Sequence, residues 1–363
     1  MRDDIIITSK PETVGIEPDK EAHVEICFTK DVYEARILDP EAGFEERAVH
    51  IEVRTDSFTG SKARVLTHRW RMPQGSEERA VIEKSRQSCP FCPDNLEKMT
   101  PKFLPDLIKE GRITHGNAVV VPNAFPYSQH SAVVIMTPEH YVSLNEFESS
   151  VLHEAFDAAM VYLRRARASD GGISYASINW NYMPPSGAGM IHPHLQVVAE
   201  AKPTLFQERL LTQSLNYHMK EERNYWADLI GHEEQEKARF VGRAGNVVFL
   251  TAYAPRGMLG EIIAVFEKAR TMEEIGQDGW EGFSKGLTTL LRCFHNMGIN
   301  SLNMALIGGM DNAGHFWIQA RIIPRVSVAP LGVSDVNYFE KGHQEVITVI
   351  SPEELAQRLR EVW

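Results

Sequence analysis

Cysteine is scarce in this chain of 363 residues. The four present, Cys27, Cys89, Cys92 and Cys293, are too few and too scattered for a disulfide scaffold. No apolar run approaches the ~20 residues that a membrane helix needs. Met1 to Lys10 is mixed and acidic, without the basic and apolar layout of a signal peptide. The expectation is a cytoplasmic protein without a membrane span. Positive charge is also in deficit: 38 Lys and Arg face 49 Asp and Glu, and 38 − 49 gives a net charge of −11. That balance disfavours general nucleic-acid binding, although a local cluster of donors can still hold a small anion. There is no low-complexity segment and no long linker.

What is present is ordinary globular composition, 43% hydrophobic and 24% charged. The length exceeds that of a usual single domain, so one large domain with an internal duplication, or two domains, is expected. Met1 to His50 carries no strong pattern. Glu52 to Pro73 reads as strand, turn at Thr59-Gly60, strand. Gly75 to Ser88 is polar and reads as mobile. Ala118 to Pro122 and Ser131 to Met136 read as buried strands, and Leu144 to Ala168 has helical periodicity. Strands at Ser174 to Tyr182 and His192 to Ala199 flank a turn at Pro184 to Gly189. Thr204 to Ala238 reads as one long helical stretch, with Lys220 to Lys237 as a solvated face. The order then recurs: strands Asn246–Ala252 and Gly260–Phe266, helix Trp280–Met297, and strands Ser301–Ile307 and Phe316–Ile323. The pattern predicts an α+β fold of two duplicated units with antiparallel sheets flanked by helices, divided as 1–200 and 201–363.

Cys89-Pro-Phe-Cys92 places two soft thiolates within reach of one ion, and tetrahedral Zn²⁺ requires two further ligands. Pro93-Asp94-Asn95 reads as a turn and not as a helix N-terminus that would lower a thiol pKa, which disfavours a redox pair. His140 and His192 are candidate partners, but neither is local to the cysteines, so spacing does not make the assignment. A fully protein-ligated ion would be structural.

The sharpest segment is Gly187-Ala-Gly-Met-Ile-His192-Pro-His194-Leu-Gln196. Residues two apart on a strand share a face, which aligns His192, His194 and Gln196. Polar groups aligned on an otherwise apolar strand need partners. The turn before them can offer backbone N–H groups near Gly187 and Gly189 to phosphate oxygens. A neutral imidazole can attack phosphorus and split one transfer into two steps, while Gln196 donates a hydrogen bond to the transferring group. The other histidines read by default as surface or packing residues. Arg321 and Arg325 on a late strand could face a phosphate or form a structural ion pair.

CPFCPDN, NAFP (Asn123 to Pro126), TPEH (Thr137 to His140), Asn181 and HPHLQ, in this order, resemble the galactose-1-phosphate uridylyltransferase family of the histidine-triad superfamily. THRW (Thr67 to Trp70) and PEELAQRLREV (Pro352 to Val362) add to a likeness spanning residues 52 to 363. The resemblance implies one structural zinc on Cys89, Cys92, His140 and His192, and His194 as a nucleophile that becomes nucleotidylated. It implies that Gln196 replaces the third histidine of the triad hydrolases. Asn123 and Asn181 would hold phosphate, ribose or base edges, Arg69 the second substrate's phosphates, and Glu340 of Phe339-Glu340 the sugar. The implied partners are a nucleotide sugar, a sugar 1-phosphate and a second copy in a homodimer. The implied activity is exchange of a nucleoside monophosphate between an NDP-sugar and a hexose 1-phosphate, as in galactose metabolism. An ADP-sugar phosphorylase or dinucleotide hydrolase, or a non-catalytic nucleotide-binding protein, are the alternatives. Three departures weigh on base and sugar specificity. Ala188-Gly-Met-Ile191 lacks the family's serine, Asn123-Ala124 stands for Asn-Asp, and Gln319-Ala320-Arg321 stands where a second metal's HxH is expected.

Overall fold

Apolar residues recurring every second position drive the larger sheet, and two helices with wide apolar faces cover one side of it. The computed structural model describes residues 26–67, 79–311, 314–328 and 332–363. Arg69, with the rest of 68–78, lies outside the described residues. The first half runs β1 (Thr29–Asp39), β2 (Glu45–Thr55), β3 (Lys62–Val65), α1 (Arg79–Arg86), α2 (Pro93–Met99), β4 (Ile113–His115), β5 (Ala118–Pro122), β6 (His130–Ile135), α3 (Ser149–Ser169), β7 (Tyr175–Tyr182) and β8 (His194–Glu200). It continues with α4 (Leu205–Glu221), α5 (Tyr225–Glu236), β9 (Phe240–Ala244), β10 (Val247–Thr251), β11 (Ile262–Phe266), α6 (Gly276–Asn296), β12 (Ser301–Gly309) and β13 (Gln319–Arg325). The chain ends with β14 (Ser327–Val328), β15 (Val333–Ser334), α7 (Tyr338–His343), β16 (Glu345–Thr348) and α8 (Pro352–Arg360).

Ten strands form one antiparallel sheet in the order β4-β5-β6-β8-β7-β12-β13-β11-β10-β9. The order is a mirror about the β7–β12 seam, where Tyr182 pairs with Leu302 and Tyr175 with Gly309. The run β5, β6, α3, β7, β8 recurs as β10, β11, α6, β12, β13. Ala176, Ile178, Trp180 and Tyr182 of β7 are buried, while Tyr175, Ser177, Asn179 and Asn181 between them are half-buried. The same alternation places Leu195, Val197 and Ala199 of β8 in the core. Phe156 of α3 stacks on Trp280 of α6 at 5.5 Å and tilts against Phe283 at 5.2 Å. The helices therefore cover one face, and the polar alternates belong to the other.

Several expectations give way here. The stretch up to His50, read as patternless, holds β1 and the start of β2, two 11-residue strands paired residue for residue. Nearly all of β1 is exposed, so it lacks the in–out alternation that burial of one face would impose. These strands, β3 and, in parallel, the late β16 form a second sheet. Residues 79–86, read as mobile, are helical. The long stretch from Thr204 breaks in two: Glu222 takes a left-handed conformation and closes α4, and Asn224 Oδ1 accepts from the N–H groups of Trp226 and Ala227 to open α5. β8 starts at His194, so His192 precedes the strand.

Gly282 lets α6 lie against the β9–β10 turn. A Cβ there would stand 2.1 Å from the carbonyl oxygen of Ala244, which is backbone and cannot swing aside. Gly282→Ala gains about 1 kcal/mol of helix propensity but forces an overpacking cost of about 1–3 kcal/mol. The expected net result is a lower urea midpoint with an unchanged slope.

Candidate functional site

Cys89, Cys92, His140 and His192 come together at one end of the open sheet face, each presenting one ligand atom, all within 4.8 Å of one another. Cys92 Sγ lies 3.4 Å from His140 Nδ1 and 3.8 Å from His192 Nδ1, and Cys89 Sγ lies 3.6 Å from His192 Nδ1. A tetrahedron with zinc bond lengths of ~2.3 Å to sulfur and ~2.0 Å to nitrogen has S–N edges of about 3.5 Å, so the donor set fits. Both outer ring nitrogens are anchored: His192 Nε2–H donates to the Thr137 carbonyl at 2.8 Å, and His140 Nε2–H to Ser85 Oγ at 2.8 Å. Such partners fix the ring orientation of metal-binding histidines. Ser85 lies on α1, so the segment read as mobile supplies an outer contact of this centre.

The turn expected after Cys92 is instead the start of α2, with Cys92 at its N-cap position and Pro93 in the first turn. The helix end does not win: burial and the adjacent Cys89 push the Cys92 thiol up to about 11. Proton competition of this kind is relieved when a metal takes the thiolate.

His192 also prepares its neighbour. Its backbone carbonyl accepts a 2.8 Å hydrogen bond from His194 Nδ1–H, which leaves Nε2 as the unprotonated ring nitrogen. His194 is buried, and that burial holds its pKa below the ordinary imidazole range, so the ring is neutral. Phe91, from between the two cysteines, packs 5.3 Å from the His194 ring.

Beyond β8 the open face is a polar cleft of about 310 Å³ whose lining includes Gln196, Asn179, Asn181, Asn303, Arg256 and Arg321. Asn179 pairs with Gln196 in the β7–β8 register, which places Asn181 beside His194 when continued. Asn303 Nδ2 donates to Asn181 Oδ1 at 2.7 Å and to the Ser186 carbonyl at 2.9 Å, which fixes the Asn181 amide. Arg325 donates to Asn303 Oδ1 at 2.6 Å and grips Asp335 with two further bonds.

The remaining predicted residues scatter around this floor. Gly187 adopts φ 85° at the end of the Pro184–Ser186 turn, and its N–H is spent on the Pro184 carbonyl at 2.8 Å. That N–H is therefore no phosphate donor; a Cβ at Gly187 or Gly189 would meet nothing within 4 Å, so space above the turn is open. Asn123 staples its own loop, accepting from Phe125 N–H and donating to Ser131 Oγ. Glu340, half-buried on α7, is electrostatically close to Arg325 and Asp335, and burial raises its pKa. Gln319 is fully buried with neither amide atom partnered among the described residues, and Arg321 sits two residues along the same strand. Tyr127, Asn179, Asn303 and Arg256 were missed by sequence reasoning. The polar alternation Ser177, Asn179, Asn181 could have found one of them; nothing local marks the others.

No family model matches the chain. An uncharacterised protein of Archaeoglobus fulgidus is 29% identical over 336 residues, covering 93% of this chain and 98% of that protein. Among solved structures, an ADP-glucose phosphorylase from Arabidopsis thaliana with bound ADP-glucose superposes with a TM-score of 0.64 at 18% identity, covering 86% of this chain and 99% of that one. A uridylyltransferase superposes at 0.62 with 20% identity, covering 85% and 98%. The chain therefore has the α+β fold of the galactose-1-phosphate uridylyltransferase-like proteins. No helix among the described residues is long and apolar enough to cross a membrane.

Proposed function

We propose that the protein is a divergent member of that family and a nucleotidyltransferase working through His194. It would exchange a nucleoside monophosphate between a nucleotide sugar and a hexose 1-phosphate. The observation that supports this reading is the His192 carbonyl holding His194 Nδ1–H, which leaves Nε2 with the lone pair that a nucleophile needs. Nε2 attacks the α-phosphorus; the N–P bond forms as the P–O bond to the sugar 1-phosphate breaks, and Nδ1 keeps its proton. An acceptor phosphate oxygen then attacks the same phosphorus and the N–P bond breaks. Gln196 and the Asn181 NH₂ donate to the equatorial oxygens without taking a proton.

Zinc on Cys89, Cys92, His140 and His192 would be structural, fixing His192 and hence the carbonyl that orients His194. The halves 1–200 and 201–363 then differ in role, since Gln319 and Arg321 replace the nucleophile and its neighbour in the second. A homodimer in the cytoplasm belongs to the same reading. The fold likeness to an ADP-glucose phosphorylase favours inorganic phosphate as a second acceptor to be tested.

Incubation with UDP-, ADP- and GDP-glucose, followed by intact mass measurement, is expected to show one added nucleoside monophosphate from at least one donor. Discharge by hexose 1-phosphate regenerates the donor class; discharge by phosphate alone marks a phosphorylase. No adduct with any donor rejects the covalent route.

A further inference from the structure

We propose that Arg256 and Arg321 form a second anion-binding point across the cleft from His194, so that the glycosyl group handled there carries its own phosphate or carboxylate. This rests on the reading of His194 as the nucleophile. Asn179 pairs with Gln196, Ala305 with Asn179, and Arg321 with Ala305, which sets Gln196 and Arg321 in one row. They are three strand spacings apart, about 14 Å between backbones at ~4.8 Å each. The β-phosphate of a nucleotide sugar adjoins the phosphorus under attack and cannot span that row. An anion at its far end belongs to a remote part of the ligand.

Arg321 is the mirror counterpart of Gln196. Gln196 pairs with Val133 and Asn179, and Arg321 pairs with Ile263 and Ala305, at corresponding places in the two halves. The second half thus presents a cation where the first presents an amide. Among the described residues, Arg256 and Arg321 are the charged side chains lining the cleft, and no carboxylate lines it. Behind them Glu261, 1% exposed, accepts from Arg256 Nε at 3.1 Å, Arg256 Nη2 at 2.9 Å and Arg321 Nη1 at 3.2 Å, all on one oxygen. Glu261 is thus shared between the two guanidiniums, and Asp56 acts on Arg321 electrostatically, with no hydrogen bond to it among the described residues. Arg321, 5% exposed, has a buried Nε with no partner among the described residues. The Phe206 ring lies close to both guanidiniums, its centroid 3.9 Å from Arg256 Cζ and 5.5 Å from Arg321 Cζ. Asp56 lines the smaller cavity behind, where Phe58 N–H and Thr59 Oγ1 occupy it. A buried guanidinium with spare donors is suited to forked recognition of phosphate or carboxylate.

The test is calorimetric titration of the whole protein with glucose 1,6-bisphosphate, glucuronic acid 1-phosphate and glucose 1-phosphate. At least one of the ligands with two anionic groups is expected to bind about tenfold tighter or better than glucose 1-phosphate, which has one, and which one identifies the anion. Arg256→Gln, which leaves Arg321 to pair Glu261, is expected to erase most of that advantage. Equal affinity of all three ligands for the unmodified protein overturns the proposal without need of a variant. So does an advantage that survives Arg256→Gln undiminished. The His194 adduct is scored separately: a missing adduct with the bisphosphate preference intact sinks the nucleophile and leaves the anion point standing, and the reverse result sinks only the anion point.

Discussion

His194→Ala is expected to lose nucleotidyl exchange by a factor on the order of 10⁴ or more while keeping its fold and its metal, because removal of a covalent nucleophile leaves only binding and electrostatic terms. The His192 carbonyl would lose one hydrogen-bond donor, a cost of about 0.5–1.5 kcal/mol, small against the stability of a domain this size. Circular dichroism and metal content should therefore match the parent, and the added nucleotide mass should vanish. The buried, neutral state of the ring supports the role: an imidazolium has no lone pair on Nε2, and burial disfavours that form. Turnover at the parental rate in this variant would remove His194 from the chemistry.

How much of this was legible in the sequence depends on the range of the contacts. The alternation from His194 to Gln196 and the cluster Ser177, Asn179, Asn181 are local period-2 patterns, and the structure sets them side by side through the Asn179–Gln196 pair. The duplicated run of strands and helix was visible for the same reason, since each unit repeats its own periodicity. The four metal donors were not readable from spacing, because 103 residues separate Cys89 from His192; the resemblance supplied that grouping. β1 and β2 escaped notice because exposed faces leave no apolar register to read. Arg256 and Tyr127 stand on loops, where no periodicity announces that they will line the same cleft. Cys92 at the head of α2 was misread because Pro93 signals both a turn and a first helical residue.

Loss of the metal should be the largest effect on stability. In Cys89→Ser a buried hydroxyl replaces a thiolate at a fully buried position, and the three remaining donors cannot close a tetrahedral shell. His192, itself fully buried, would then keep only its bond to Thr137, and the carbonyl that orients His194 would be free to shift. Structural zinc sites contribute directly to folding free energy, so a loss of several kcal/mol is expected, which lowers the melting temperature by about 10 °C or more in a chain of this size. Chelation of the unmodified protein should reproduce that shift. It should also be easier in acid, because the Cys92 thiol, pushed up to about 11 without metal, takes back its proton on release. Each proton taken up weakens metal affinity about tenfold per pH unit of acidification. Elemental analysis and thermal denaturation of Cys89→Ser together decide the matter: one zinc per chain at the parental melting temperature would show that these four side chains are packing partners and not a metal centre.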